Sequence, residues 1–192
     1  MDVIESRVIV RHESGAAQTI EAMSVWDSSD DPDIPFTAVD AATDTLTLPA
    51  DTKLIIWTDK TFEPGGNVTV SGGGGGTALD GTFELYDDAI FTANNGESHS
   101  IGGSLISGTD AVFNAAQSTT TLTTDGAART VDVNNNSFYN LIFDGVGSWT
   151  VTDSILSVDN DLTISSGAVT LPGGTSTISG SLVNTGGSFD LS

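Results

Sequence analysis

A few groups of residues in this sequence have the types and spacing to do chemistry. Asp27, Asp30, Asp31 and Asp33 fall within seven positions in DSSDDPDIPF. Hard divalent cations want several oxygen ligands close together, so this stretch can be read as a calcium loop. It lacks the Gly and the distal Glu of an EF-hand, and a solvated acidic turn is the simpler reading. His12 and His99 are the only histidines. A Ser-His-Asp arrangement needs a nominated serine, and no GxSxG turn supplies one. His99, in GESHSIGG, reads as an exposed loop residue. Glycoside hydrolysis needs two carboxylates at a set separation. With 26 acidic residues no pair is singled out. Polysaccharide lyases built on β-helices combine acidic metal ligands with a basic residue, and here only Lys60 and Arg129 offer themselves. SGGGGG at 71–76 is followed by neither GK[ST] nor a helix-forming segment, so it reads as a flexible corner, not a phosphate loop. No catalytic, cofactor-binding or metal-ligating residue is therefore assigned. Sugar stacking would need exposed aromatic rings, for which Phe36, Trp57, Tyr86, Tyr139 and Trp149 are the candidates.

The elements that would position these residues are legible from residue 137 onward. Phe138, Val158 and Ile178 fall twenty residues apart, as do Trp149, Val169 and Phe189, and Val151, Leu171 and Leu191. Gly147, Gly167 and Gly187 repeat at the same interval, and Leu141, Leu162 and Leu182 follow with one residue of slack. A fixed period with apolar residues in register marks a solenoid, in which stacked coils bury a core that no single coil can bury. NLIF, WTV, LSV, LTI, VTL and SLV are short runs rich in β-branched and apolar residues, separated by Gly, Asn, Asp, Ser and Pro. These are strands and turns, about three to a coil. The expected fold is an all-β, right-handed parallel β-helix, in which parallel pairing sets identical columns over one another. An antiparallel sandwich also has short, evenly spaced strands, but columns repeating at a fixed twenty are not expected of it. The three glycines should occupy a corner that needs positive φ or has no room for a side chain. Thr150, Thr170 and Asp190 should point outward.

Earlier in the chain the repeat is looser. Leu85 and Leu105 are spaced by twenty, Phe91 and Phe113 by twenty-two, Phe113 and Val133 by twenty, and Val131 and Val151 by twenty. The extra residues belong in turns such as Asn94-Asn95-Gly96 and Thr109-Asp110. Residues 45–70 read as three strands around Leu46 and Leu48, Leu54 to Trp57, and Val68 and Val70. Lys53 and Lys60, the only lysines, flank the apolar run. Near the start, Arg7-Val8-Ile9-Val10-Arg11 alternates as a strand and can pair against the first coil, closing its open edge. The parse is an N-terminal strand or cap segment at 1–36 and one solenoid domain at 37–192.

Composition narrows the function. Five basic against 26 acidic residues give a formal charge of −21. Such a surface repels phosphate backbones and anionic bilayers, so neither nucleic acid nor a membrane is an expected partner. There is no cysteine, which removes disulfides and thiolate chemistry. No run is long enough to span a membrane as a helix, and no signal peptide opens the sequence. The last residues, Phe189 to Ser192, fall in mid-coil without a polar cap, as a cut would, or a subunit end meant to be covered.

The run LTLPADTKLIIWTDKTFEPGGNVTV, with DGTFELYDDAIFTA, SFYNLIFDGVGSWTV and DLTISSGAVTL, resembles repeat regions of very large predicted surface proteins of environmental bacteria, including candidate-phyla lineages. The resemblance covers residues 45–191 and carries no catalytic motif. It implies an extracellular, cell-surface location and a structural or adhesive role. Shafts of phage tail fibres and spikes are similar in fold alone. The expected function is a non-enzymatic structural or adhesive module of a longer rod, filament or surface layer. It would associate with itself end to end and meet a surface glycan or host-cell ligand. The alternative is a carbohydrate-binding or carbohydrate-cleaving β-helix. No cofactor is expected, with calcium at the Asp-rich stretch as the one exception.

Overall fold

Alternation decides how each strand sits. In Leu156–Val158 and Leu162–Ile164 the first and third residues are buried and the middle one is not. Successive side chains of a strand point to opposite faces, so each strand sends one face to the core. Turns then bend the chain onto the next face. The computed structural model is accordingly an all-β parallel solenoid of about six coils, about 21 residues each. It describes residues 8–12, 45–48, 50, 52–64, 66–72 and 81–191, and no helix occurs among them.

β1 (Val8–His12) precedes the coils. The first coil holds β2 (Thr45–Leu48), β3 (Thr52–Ile56) and β4 (Thr61–Phe62). The next holds β5 (Asn67–Val70), β6 (Phe83–Leu85) and β7 (Ile90–Thr92), and the third β8 (Ser98–Ile101), β9 (Leu105–Ser107) and β10 (Val112–Asn114). Then come β11 (Thr119–Leu122), β12 (Ala128–Val131) and β13 (Ser137–Phe138), followed by β14 (Asn140–Phe143), β15 (Ser148–Val151) and β16 (Leu156–Val158). β17 (Leu162–Ile164), β18 (Ala168–Leu171) and β19 (Ser176–Ile178) make the sixth, and β20 (Leu182–Asn184) and β21 (Ser188–Leu191) begin a seventh.

Two faces are continuous sheets, β2-β5-β8-β11-β14-β17-β20 and β3-β6-β9-β12-β15-β18-β21. β1 extends the second at its N-terminal edge, antiparallel to β3, with Val8 opposite Ile56 and His12 opposite Thr52. The segment thus folds back on its own chain and closes that edge, as the alternation in RVIVR suggested. The third face is split into β4-β7-β10 and β13-β16-β19. The break falls at Asp132 to Asn136, where Asn134 and Asn135 both take positive φ (53° and 58°). Side-chain amides bridge the gap: Asn134 and Asn136 each donate an Nδ2–H bond to the Ala111 carbonyl, at 3.2 Å.

The columns of the last three coils stack as the spacing requires. Phe138 pairs with Val158 and Val158 with Ile178. Leu141, Leu162 and Leu182 are in register, as are Trp149, Val169 and Phe189. Trp149, Val151, Val169 and Leu171 are buried, while Thr150 is exposed and Thr170 half-buried on the outer side. Gly167 has φ +78°, and a Cβ there would lie 2.6 Å from both the Gly145 carbonyl oxygen and Trp149 Cζ3. At Gly147 and Gly187 crowding alone excludes a side chain.

Two spacings read from the looser half are corrected. Leu105 pairs with Phe83 and Leu85 with Ser107, so the Leu85–Leu105 column does not exist. The turn from Ala93 to Glu97 is longer than its counterpart at Asp159 to Asp161, and it stretches this coil to twenty-two residues; Phe91 and Phe113 do pair at that spacing. Phe113 meets Phe138, ring centroids 5.4 Å apart, and not Val133, which lies in the turn before β13. A strand not foreseen, β4, follows the Trp57 corner.

Candidate functional site

Each coil turns from the β3-to-β21 sheet into the third face at one corner. In the first three coils this corner reads Trp57-Thr58-Asp59, Tyr86-Asp87-Asp88 and Gly108-Thr109-Asp110. Ile56 pairs with Leu85 and Leu85 with Ser107, so Trp57, Tyr86 and Gly108 occupy one column. Asp59, Asp88 and Asp110 occupy another, each with positive φ (59°, 60° and 57°). Asp is one of the few residues whose short polar side chain tolerates this backbone, so part of the acidic excess is turn chemistry. Asp87 Oδ1 ties two coils together by accepting the Thr109 N–H at 2.8 Å. Asp59, Asp87, Asp88, Thr109 and Asp110 are all exposed.

Of the aromatic residues nominated for sugar stacking, the fold brings Trp57 and Tyr86 together. Their ring centroids are 4.7 Å apart and their planes are tilted by 40°. Trp57 is 38% exposed and Tyr86 half-buried. Trp149 is buried edge-on against Phe143, at 5.2 Å. Tyr139 packs partly against the core. Phe36 lies outside the described residues, as do the four aspartates of the calcium reading.

His99 is not an exposed loop residue. It sits in β8, two residues from Ile101 and on the same inward face, and is only 3% exposed. Its Nδ1 accepts the Val68 N–H at 3.2 Å, which places the ring proton on Nε2, 3.4 Å from Glu97 Oε2. Glu97 is itself held by the backbone N–H and Nδ2 of Asn94, at 2.8 and 3.0 Å. The Phe91 ring meets His99 edge-on at 5.2 Å. Burial lowers the His99 pKa to about 4, with Glu97 pulling the other way. This is a neutral histidine used as a hydrogen-bond acceptor inside the wall.

Arg129 is also turned inward, on β12 opposite Trp149, and is buried. It is thus not placed to meet a sugar beside Lys60. Asp153 carries a structural load: Oδ2 accepts the Val133 N–H at 2.9 Å and Oδ1 the Asn135 N–H at 2.7 Å. Burial raises its pKa, these two bonds oppose the rise, and Asp132 adds to it. Among the described residues no group of three or more His, Asp or Glu side chains could hold a metal ion.

The geometry is that of a three-faced solenoid with an exposed aromatic and acidic corner among the described residues. No protein-family model, curated protein or solved structure matches the chain.

Proposed function

We propose that this chain is a non-catalytic structural or adhesive module of an extracellular rod, a length of shaft that stacks lengthwise against further coils of its own kind. The observation that carries the reading is the register of the C-terminal coils. Their apolar columns pass from coil to coil in parallel pairing, Leu162 onto Leu182, Val169 onto Phe189 and Leu171 onto Leu191. Each coil offers the next the apolar side chains and strand edges it needs, so coils of one kind can extend the stack. The outer surface, by contrast, carries Thr, Ser, Asn and Asp and a net charge of −21, which discourages sideways clumping. The extracellular placement rests on the resemblance of residues 45–191 to surface-protein repeats.

Sedimentation and electron microscopy across a wide protein concentration range test the proposal. Filaments or oligomers one solenoid wide are expected, and Phe189→Asp with Leu191→Asp should disperse them. A wild-type chain that remains monomeric at every concentration overturns the reading.

A further inference from the structure

We infer that the Trp57–Tyr86 corner is a binding site for a neutral glycan, on the side of the shaft and independent of its ends. Contact between the two rings follows from their position on consecutive coils, where cross-strand aromatic pairs stabilise a sheet. Packing does not account for the rest. The described phenylalanines from β4 to β14 and Trp149 are buried, whereas Trp57, like Phe189 on the last coil, is left exposed, at 38%. The rings touch at a 40° tilt, and Trp57 keeps exposed surface beyond that contact. Below Tyr86 the column is occupied by Gly108, where any Cβ would meet Asp87 Oδ1 at 2.5 Å. The column therefore steps down from two rings to bare backbone, leaving a ledge along the shaft axis.

The chemistry beside the ledge selects the ligand. Asp59, Asp88 and Asp110 run parallel to the aromatic column, on backbone fixed in the left-handed region. Ionised carboxylates only accept hydrogen bonds, so their complement is a ligand rich in donors. A pyranose offers a C–H face to an aromatic ring and hydroxyl donors at its edge. The charge of −21 disfavours uronic, sulfated or phosphorylated chains, which leaves a neutral one.

The test is affinity electrophoresis of the full chain through gels holding soluble β-glucan, xylan, mannan or galactan, with tryptophan fluorescence titrated by cellohexaose, xylohexaose and mannohexaose. At least one polymer should retard the protein. Trp57→Ala and Tyr86→Ala should each weaken binding about tenfold, while Trp57→Phe keeps most of it and Val146→Ser, at an exposed site elsewhere, changes nothing. Circular dichroism confirms that each variant is folded. The inference falls if no neutral polymer is bound, or if binding survives both alanine variants. It falls equally if the corner binds oligolysine in a salt-sensitive way and no sugar, which would make it a cationic-peptide site.

Discussion

His99 should make the solenoid acid-sensitive in a way that one substitution removes. Its folded-state pKa of about 4 lies below the ordinary histidine value of 6.5. The folded state therefore holds the neutral ring, and the unfolded chain takes up the proton first. Stability from this group is complete above pH 6.5 and is lost as pH falls toward 4. Each pH unit in that window costs about 1.4 kcal/mol, and the whole interval about 3 kcal/mol. Burial of the ring is the cause, with Glu97 opposing it, and protonating Nδ1 would also remove the acceptor for the Val68 N–H in the wall between β5 and β8. His99→Asn is the right comparison, because the Asn carbonyl oxygen can stand near Nδ1 and accept the same bond without titrating. Urea unfolding of both proteins, followed by far-ultraviolet circular dichroism from pH 8 to pH 4, gives two stability curves. His12 and the carboxylates contribute to both and cancel. The wild type should lose about 3 kcal/mol relative to the variant between pH 6.5 and 4. Parallel curves would refute the assignment of His99 as a buried neutral acceptor.

Leu162→Ala removes a fully buried side chain between Leu141 and Leu182 and should cost roughly 2–5 kcal/mol in chemical denaturation. Gly167→Ala and Gly96→Ala meet similar backbone, at φ +78° and +85°, but only Gly167 is crowded. Gly96→Ala should cost about 1–2 kcal/mol in backbone strain and Gly167→Ala clearly more; equal losses would show that crowding at the Gly167 corner is unimportant. A chelator should leave the melting temperature unchanged, as a solvated turn at Asp27 to Asp33 requires; a fall of several degrees would restore the calcium reading.

The C-terminal half of the fold was legible because its coils are uniform. Where every coil runs twenty or twenty-one residues, columns such as Phe138, Val158 and Ile178 line up in the sequence itself. In the N-terminal half, β3 to β6 spans twenty-nine residues and β9 to β12 twenty-six, so a fixed spacing no longer names the partner. It still preserves the face: Leu85 and Leu105 are both buried, although they do not pair. His99 was misread because its neighbours are Ser and Gly, a loop-like context. The usable signal was its two-residue offset from Ile101, which puts both on one face of a strand. Arg129, two residues before Val131, carried the same signal. For the aromatic corner, the sequence supplied both rings among its five candidates. It did not join them, because Trp57 and Tyr86 are separated by an irregular coil that holds the glycine run.

The irregular coils are also where the unusual chemistry sits. The exposed Trp57–Tyr86 pair, the Lys53–Glu84 ion pair and the buried His99–Glu97 contact all lie between β3 and β8. From β14 onward the interior is almost purely apolar. Local rules tend to be broken where something other than folding is being served, and kept where only stacking is needed. A uniform coil adds length and rigidity, and its identical neighbours leave little room for a specific feature. An elongated coil breaks the columns, places a ring or a charge off the pattern, and gives the shaft a position that differs from every other. On this argument the C-terminal coils repeat a single register, and the N-terminal coils carry the features that differ from one coil to the next.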